Sequence, residues 1–429
     1  MKRTFSITTL GCKVNQYESE AMSELFEEKG YMKVDQETEV ADIYIINTCT
    51  VTNLSDRKSR QVIRKAKREN PESIVAVVGC YSQVSPEEVA SIEGVDIVLG
   101  TTERSDIVNM VENFQNNGEF INAVRSLDGD YEFQPINISK ESDMTRAYMK
   151  VQDGCNRFCT YCIIPYARGR IRSRSISDSV KEAKRLAEAG YKEVVLTGIH
   201  IGSYGKESGK SLIELIESIA DVEGIERIRM SSVEPMTITE EFLQRAIATG
   251  KFCDHFHLSL QSGCDKVLKE MNRRYTTKEY KEVVDLIRKY MPKAGITTDI
   301  IVGFPGETDE EFEITRRFVE EIEFSRIHVF KYSIRDGTPA AERTDQIHGE
   351  VKHSRSQKLI ELNEKLMKKF ASEQEELEVL FEEKIEDKYV GYSTNYLRCA
   401  IKSADDLKNI TKSVRIVSEE NEPFEVVLS

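Results

Sequence analysis

The stretch QDGCNRFCTYCIIPYARGRIRSR, residues 152–174, decides the fold, because it places three cysteines and a row of arginines after a β-rich run. Cys155, Cys159 and Cys162 form a C-x3-C-x2-C pattern. A structural zinc site is closed by four ligands, whereas an iron–sulfur cluster held by three thiolates keeps one iron open. No fourth cysteine lies near, and the nearest histidine is His200. The pattern therefore favours an iron–sulfur cluster.

Downstream of this stretch the chain alternates between β-rich runs and helical patterns. Strands are predicted at 146–152, 193–197, 225–230, 255–260, 296–302 and 326–332. Six such β/α units predict a partial barrel. The cysteine loop follows the first strand, so it lies at the C-terminal mouth, where barrels build their sites.

Upstream of this stretch a second alternation is present. The β-rich runs FSITTLGC, ADIYIINTC and SIVAVVGC end in Cys12, Cys49 and Cys80, and helical patterns follow at 18–29, 55–69 and 86–92. This order predicts a parallel sheet, whose strands end at one edge where ligands bind. The three cysteines are therefore expected to converge on a shared ligand. The alternative is that they are three buried core residues.

The remaining segments complete an α/β fold class. Residues 125–143 are polar and lack a clear period, and residues 350–377 read as one long amphipathic helix followed by short β-like runs. We predict an N-terminal parallel α/β sheet domain (1–124), a linker or wrap-around arm (125–143), a central partial (β/α)6 barrel (144–372) and a small C-terminal β-barrel (373–429).

Composition is that of an ordinary soluble chain. The 429 residues are 39% hydrophobic and 31% charged. We expect no secretory signal, no membrane span or membrane partner, and a cytoplasmic location, because no apolar run approaches eighteen residues. Nine cysteines in such a chain read as reduced thiols or metal ligands rather than disulfides. Cys253, Cys264 and Cys399 are interpreted as small apolar residues.

Two positive patches stand out on a chain whose formal net charge is −14. Residues 53–70 carry seven cations against Asp56 and Glu69, which suits either a polyanion or a solvated helix face. The other patch is a row at every second position, which would share one face if extended: Arg168, Arg170, Arg172 and Arg174. Arginine binds phosphate bidentately and stacks on bases, so we favour RNA contacts for this row over ion pairs with acidic helices such as residues 310–313.

The cysteine loop and the strand ends after it resemble the radical S-adenosylmethionine superfamily. The resemblance implies a 4Fe-4S cluster on Cys155, Cys159 and Cys162 that binds S-adenosyl-L-methionine and cleaves it to a 5′-deoxyadenosyl radical. It also implies cofactor contacts from Tyr161 in the loop and from the strand-end segments LTGIH, SSVEP, HLSLQSG, DIIVGFPGET and HVFKYS. Those residues are Gly198, Glu234, Gln261, Asp299, Gly303 and Phe330. For Glu234 and Gln261 the alternative is a satisfied polar residue at the barrel rim.

The whole chain resembles a narrower group, the methylthiotransferases, through TLGCKVNQYESE, NTCTVTN, VVGCYSQ and the central cysteine stretch. The resemblance implies a second, auxiliary 4Fe-4S cluster on Cys12, Cys49 and Cys80 that delivers sulfur. It implies no catalytic side chain beyond the cluster ligands, and it implies an RNA-binding tail. The candidate RNA contacts in that tail are Tyr392, Asn395 and Tyr396, which could instead pack a small β-core.

The segments GCKVNQYES and CTVTN resemble the subgroup that methylthiolates C2 of N6-threonylcarbamoyladenosine at position 37 of tRNA, next to the anticodon. A pocket for threonylcarbamoyl needs polar groups, which Arg168 and Ser232 could supply. The implied partners are the tRNA anticodon stem-loop, an electron donor such as flavodoxin or ferredoxin, and a sulfur source. The alternatives are isopentenyl-adenosine in tRNA, an aspartate of a ribosomal protein and, more remotely, an iron–sulfur electron carrier.

Overall fold

The N-terminal part of the computed structural model is a parallel sheet with helices on its faces. The structure describes residues 3–36, 38–129, 132–134, 136–138, 145–418 and 422–429, so much of the predicted linker (130, 131, 135 and 139–143) lies outside it. The strands are β1 Thr4–Thr9, β2 Met32–Lys33, β3 Ile43–Thr48, β4 Ile74–Gly79, β5 Ile97–Val98 and β6 Ile121–Asn122. The helices are α1 Lys13–Glu28, α2 Asn53–Glu69, α3 Cys80–Val84, α4 Pro86–Ala90 and α5 Ile107–Asn117.

The order of this sheet is β2-β1-β3-β4-β5-β6, and its described pairs are parallel. Buried aliphatic side chains on both faces pack against the helices, as a two-sided parallel sheet requires. The strands β1, β3 and β4 are neighbours, with Thr9 beside Asn47 and Thr48 beside Gly79. Their C-terminal ends therefore lie side by side at one edge, as the sequence predicted.

The central part is an open barrel of parallel strands surrounded by helices. Its strands are β7 Arg146–Asp153, β8 Arg172–Ser173, β9 Glu193–Gly198, β10 Arg227–Met230, β11 His255–His257, β12 Gly295–Val302 and β13 Arg326–Lys331. Its helices are α6 Ile164–Arg168, α7 Ile176–Glu188, α8 Leu212–Ala220, α9 Glu240–Ala248, α10 Asp265–Glu270, α11 Thr277–Tyr290, α12 Asp309–Ile322 and α13 Gly349–Ser372.

The barrel strands form two sheets, β10-β9-β7-β8 and β11-β12-β13. The parallel bridges Ile228–Phe252 and Val233–Leu258 join them, so β7, β9, β10, β11, β12 and β13 follow one another around the barrel. Apart from β8, which pairs antiparallel with β7, the prediction of six β/α units is confirmed. None of the helices in the described part of the chain combines the length and apolarity that a bilayer crossing needs.

The C-terminal strands form a small closed barrel in the order β14-β15-β16-β18-β17. They are β14 Leu377–Ile385, β15 Lys388–Ser393, β16 Arg398–Lys402, β17 Ile410–Ser418 and β18 Phe424–Leu428. The predicted helix 350–377 is too long, because α13 ends at Ser372 and Leu377 opens β14. Leu377 is buried and pairs with Val414 of β17, so closure of the small barrel overrides the helical pattern. The predicted α/β fold class with a terminal β-barrel is confirmed.

Candidate active site

Backbone hydrogen bonds hold the loop 155–162 at the mouth of the barrel. We define the mouth as the C-terminal ends of the barrel strands. The Cys155 amide donates to the Gly169 carbonyl at 3.0 Å, and the Cys162 amide donates to the Cys159 carbonyl at 2.9 Å. Phe158 has a left-handed backbone with φ 48°, uncommon for a bulky residue. The loop is therefore a specific turn rather than an extended connection.

A second segment, MNRRY at residues 271–275, holds this loop in place, and it carries no motif that predicts this role. The Thr160 amide donates to the Met271 carbonyl at 3.1 Å, and Asn272 Nδ2 donates to the Phe158 carbonyl at 3.0 Å. Arg273 Nη1 lies 3.4 Å from Cys159 Sγ as a donor. The sequence indicates a role for the segment 271–275 only through its position after the fourth barrel strand, on the side where barrels build their sites.

The second set of cysteines lies at the edge of the N-terminal sheet. Cys12 caps α1, Cys49 follows β3, and Cys80 opens α3 directly after β4. Cys49 and Cys80 are buried, whereas Cys12 is exposed. Burial raises the pKa of Cys80 to about 11; the charge of Arg168 opposes this shift, and the thiols of Cys49 and Cys12 add to it. The three thiols therefore lie close enough to influence one another.

Asn15 and Gly11 bring the loops of Cys12 and Cys49 together. Asn15 Nδ2 donates to the Leu10 carbonyl at 2.8 Å and to the Thr48 carbonyl at 2.9 Å, so one amide joins the ends of β1 and β3. Gly11 has φ +115°, and a Cβ there would lie 2.8 Å from the Cβ of Cys49. The close approach of the Cys12 and Cys49 loops thus requires glycine.

Each cysteine set supplies three thiols, the ligand type that holds an iron–sulfur cluster. In the described residues, no three Cys, His, Asp or Glu side chains are grouped as they would be around one ion. Burial also raises the pKa of Cys155 to about 11 and that of Cys162 to about 12. These thiols are protonated at neutral pH and release protons when they bind metal.

A pocket of about 200 Å³ lies at the barrel mouth between Cys162 and the loop that follows Cys49. The N-terminal sheet contributes the loop after Cys49, and the barrel contributes Cys162 and its strand ends. Four predicted cofactor residues line it, namely Tyr161, Gln261, Asp299 and Phe330. Gln261 has a left-handed backbone with φ 72°, the kind of strain that structures keep at functional sites. The structure thus brings these four residues together beside one cysteine.

The other predicted cofactor residues, Gly198, Glu234 and Gly303, lie outside the described lining of this pocket. Gly198 packs on Gln152, whose Oε1 would be 2.9 Å from an added Cβ. The Gly303 amide donates to Glu307 Oε2 at 2.7 Å. Cofactor contacts from these residues stay predictions.

Glu234 is already surrounded by cations. It forms ion pairs with Arg157 and with Arg273 at 3.5 Å, and its Oε2 lies 3.3 Å from His200 Nε2. Burial would raise its pKa, but the adjacent His200 imidazole and the arginine charges outweigh burial and hold it at about 2. Glu234 therefore holds the two arginines that flank the cysteine loop, and its predicted ligand contact stays a prediction.

The arginine row does not form one exposed face, which corrects the sequence prediction. Arg168 is fully buried, and its Nη1 and Nη2 donate to the two carboxylate oxygens of Glu18 at 2.6 and 3.1 Å. Its Nε donates to Cys80 Sγ at 3.2 Å. A buried guanidinium with these partners cannot bind phosphate or a threonylcarbamoyl group, whereas Ser232, the other candidate for that group, is exposed.

Two further members of the row are also paired inside the protein. Arg172 binds Asp153 at 3.1 Å, and Arg174 binds Asp178 at 2.8 Å and Glu182. Both arginines are buried, so RNA binding is wrong for Arg172 and Arg174 as it is for Arg168. The ion pairs also differ from the predicted alternative, since the acids are not residues 310–313. Arg170 alone is exposed, and its RNA contact stays a prediction.

The three tail candidates face the barrel rather than solvent. Asn395 is buried, and its Nδ2 donates to the Lys293 carbonyl at 3.2 Å. Tyr396 stacks on His255 with ring centroids 4.3 Å apart and on Tyr392 at 4.8 Å. These contacts lie at the N-terminal ends of the barrel strands, away from the cysteine loop. The Asn395 amide is thus already used at this joint, whereas Tyr392 and Tyr396 are half-buried, and RNA contacts by these three residues stay predictions.

Two family models match the chain. The radical SAM superfamily matches residues 149–319, which contain the loop 155–162 and most of the barrel. The uncharacterized protein family UPF0004 matches residues 4–100, which contain Cys12, Cys49 and Cys80. Each cysteine set thus lies in its own matched region.

Curated relatives and solved structures cover most of the chain. It is 44% identical, over 96% of its length and 94% of the relative, to threonylcarbamoyladenosine tRNA methylthiotransferase MtaB of Bacillus subtilis (strain 168). It is 39% identical, over 86% of its length and 82% of the relative, to tRNA-2-methylthio-N(6)-dimethylallyladenosine synthase of Clostridium tetani (strain Massachusetts / E88). The radical S-adenosylmethionine methyltransferase TsrM from Kitasatospora setae matches 80% of this chain and 77% of its own at 15% identity, with a TM-score of 0.57. This last likeness shows a shared fold.

Proposed function

The chain belongs to the radical S-adenosylmethionine methylthiotransferase family, and on that basis we propose that it methylthiolates C2 of N6-threonylcarbamoyladenosine at position 37 of tRNA, next to the anticodon. The observation that carries the proposal is one pocket lined both by Cys162 of the central three-cysteine set and by Val51 and Thr52, which follow Cys49 of the N-terminal set. An electron carrier would need neither a second set nor such a pocket. Curated relatives that share 41–44% identity are named for this nucleoside.

The cofactors of the enzyme are two 4Fe-4S clusters and S-adenosyl-L-methionine, as the sequence predicted. When bound, they supply the radical chemistry and the sulfur that side chains cannot provide. Cys155, Cys159 and Cys162 hold the radical-generating cluster, and the other set holds the auxiliary cluster: Cys12, Cys49 and Cys80.

The remaining work of the protein is positioning and exclusion of water. Tyr161, Gln261, Asp299 and Phe330 form the pocket for S-adenosyl-L-methionine beside Cys162. Arg273 donates to the sulfur of Cys159 in the central set, and Arg168 donates to the sulfur of Cys80 in the N-terminal set. Hydrogen bonds to metal ligands of this kind fix the orientation of those ligands. No general acid or base is assigned.

The division into domains is part of the proposal: 1–124 for the auxiliary cluster, 125–143 as linker, 144–372 for radical chemistry and 373–429 as a TRAM-like module. The strand bounds support it, because β1–β6, β7–β13 and β14–β18 form the N-terminal sheet, the central barrel and the small closed barrel. The partners are the anticodon stem-loop of tRNA, an electron donor such as flavodoxin or ferredoxin, and a sulfur source. Because its substrate is tRNA, the enzyme acts in the cytoplasm.

Isopentenyl-adenosine is the second candidate substrate, because a 39% identical relative is named for the dimethylallyl nucleoside. The two substrates differ in the exocyclic group, which carries a carboxylate and a hydroxyl in one case and is apolar in the other. A pocket built for the polar group rejects the apolar one strongly, since its own buried polar groups would be left unpaired.

The test is a comparison of two tRNA substrates with one enzyme preparation. Reconstituted enzyme with S-adenosyl-L-methionine, a reductant and a sulfur source is given tRNA bearing either nucleoside, and the digested nucleosides are analysed by mass spectrometry. Methylthio product is expected from threonylcarbamoyladenosine and not from isopentenyl-adenosine. Equal or reversed activity would overturn the substrate and leave the family assignment intact.

A further inference from the structure

The helix α2 presents a row of unpaired cations, although the molecule as a whole is acidic. Its exposed basic residues include Arg57, Lys58, Arg64 and Arg68. These four form no ion pair within the described part of the chain. We call them the α2 basic row.

The row exists because α2 turns its apolar and acidic residues inward. Ser59, Ile63 and Ala66 are buried against the sheet. Asp56 is also buried, where it binds Arg335 of the barrel at 2.7 Å. The other acid of the helix, Glu69, binds Lys65. No acid of α2 is therefore left to neutralise the α2 basic row.

The helical spacing places the three arginines of the row on one face. Arg57, Arg64 and Arg68 are seven and four residues apart, so their side chains follow one line along the helix. At about 1.5 Å per residue, that line is about 16 Å long. A groove of about 860 Å³ runs beside its far half and is lined by Arg64, Lys65, Lys67 and Arg68 with Glu93 as its one acid in the described lining.

The near end of α2 lies at the candidate active site. Val51 and Thr52, which directly precede the helix, line the pocket beside Cys162. The Asn53 amide donates to Ser333 Oγ at 3.2 Å, and Arg335 Nη1 donates to Asn53 Oδ1 at 2.8 Å. The first turn of α2 is therefore fixed to the barrel mouth, and the helix leads away from it.

We propose that the α2 basic row binds the phosphate backbone of the tRNA anticodon stem-loop and guides the modified nucleoside to the pocket. This inference rests on the proposed function and adds the surface that holds the substrate. It replaces the arginine row 168–174, which the structure shows to be mostly buried. An acidic protein that must bind a polyanion needs a local patch of unpaired cations, and arginine suits phosphate geometry.

The test uses a variant in which Arg57, Lys58, Arg64 and Arg68 are all changed to Gln, a residue with good helix propensity. The matched control is Lys365→Gln with Lys368→Gln on the exposed face of α13; these two lysines also form no ion pair among the described residues. Binding of tRNA bearing threonylcarbamoyladenosine is measured by fluorescence anisotropy between low and moderate salt. Iron content and circular dichroism confirm that each variant folds.

The row variant is expected to bind about tenfold more weakly at physiological salt, and the slope of log affinity against log salt is expected to fall by about 3. The control should keep the wild-type slope. Wild-type affinity and slope in the row variant would overturn the proposal, as would an equal loss in the control or a wild-type enzyme that does not bind tRNA. If the proposed function were wrong instead, the wild type would bind tRNA without forming methylthio product, which distinguishes the two failures.

Turnover provides a second readout. Because the row holds RNA and does not touch the reacting atoms, the row variant should show a raised KM for tRNA and a kcat near that of the wild type. A lost kcat with an unchanged KM would contradict docking by this helix.

Discussion

At the scale of single residues, Arg168 joins the two cysteine sites. Arg168 is the last residue of the short helix α6, which follows Cys162. Its guanidinium donates to Cys80 Sγ and to two residues of α1, Asn15 and Glu18. In the sequence, Arg168 has no acidic residue near it. The carboxylate that neutralises it belongs to Glu18, 150 residues earlier in the chain. A local window of sequence cannot reveal a partner at that distance, so the burial of this arginine was not predictable.

Arg168→Lys should change the auxiliary cluster and spare the radical cluster. Lysine keeps the charge but cannot donate to Cys80, Glu18 and Asn15 at once in the geometry of a guanidinium. Loss of an N–H donor to a ligand sulfur should lower the auxiliary reduction potential by tens of millivolts, because hydrogen bonds to sulfur help to set that potential. A redox titration followed by electron paramagnetic resonance measures it, with exposed Arg170→Lys as control. A shift confined to the radical cluster would refute this role.

Gly154, directly before Cys155, tests the fold of the radical loop. Its φ is +72°, and an added Cβ would lie 1.8 Å from the Arg170 carbonyl oxygen. Gly154→Ala should therefore disrupt the loop and lose the iron of that set. Gly250→Ala is the matched control, since its φ is +67° with nothing within 4 Å, so it carries only the strain of about 1–2 kcal/mol. Iron analysis decides, and equal iron content in the two variants would contradict the steric argument.

At the scale of elements, α1 forms much of the joint between the N-terminal sheet and the barrel. Its Glu18 is fully buried and binds Arg104, Lys150 and Arg168 at 3.1, 2.7 and 2.6 Å. Burial would raise the pKa of Glu18, but the charges of these partners outweigh burial and hold it at about 2. One carboxylate on one helix thus holds cations from both parts of the molecule.

Glu18→Gln should destabilise the protein at pH 7 by about 3 kcal/mol or more, because it leaves buried cations uncompensated. The pKa of Glu18 lies below its ordinary 4.5, so this stabilisation is full above about pH 4.5 and is lost as the pH falls toward 2. The difference between wild type and variant in urea unfolding before cluster reconstitution should shrink with acidity through that window. Exposed Glu28→Gln on the same helix is the control, and a difference that is constant with pH would contradict the assignment.

Strands were predicted better than helix ends. The β-rich runs before Cys12, Cys49 and Cys80 correspond to β1, β3 and β4, because a two-sided parallel sheet leaves a continuous apolar pattern. The helix predicted at 18–29 in fact starts at Lys13, since its cap is Cys12 and not a residue typical of helix starts. The end of α13 was missed because strand pairing in the tail decides it.

At the scale of the whole molecule, the tail docks against the barrel end opposite the cysteine loop. Arg229 Nη1 and Nη2 donate to the carbonyls of Thr394 and Ser393 at 2.8 and 3.0 Å, and its guanidinium carbon lies 4.9 Å from the Tyr396 ring centroid. The sequence predicted a small β-barrel but could not predict its docking, because that depends on which loop of the tail meets which strand ends. For the same reason the sequence did not predict that Asn395 is buried at this joint.

The grouping of six cysteines into two sets is different, because topology alone predicts it. Parallel strands bring Cys12, Cys49 and Cys80 to one edge, and a barrel mouth receives the other set. The pocket between Cys162 and the loop that follows Cys49 was not predictable, since it depends on how the sheet docks on the barrel. The central claim is that these sets are two separate cluster sites that act together.

The iron content of anaerobically reconstituted protein tests that claim most directly. Wild type should bind about eight irons, four per cluster. Replacing Cys12, Cys49 and Cys80 together by Ala should leave about four, and the triple variant at Cys155, Cys159 and Cys162 should also leave about four. Neither variant should form methylthio product. An N-terminal triple variant that keeps all of its iron would contradict the account.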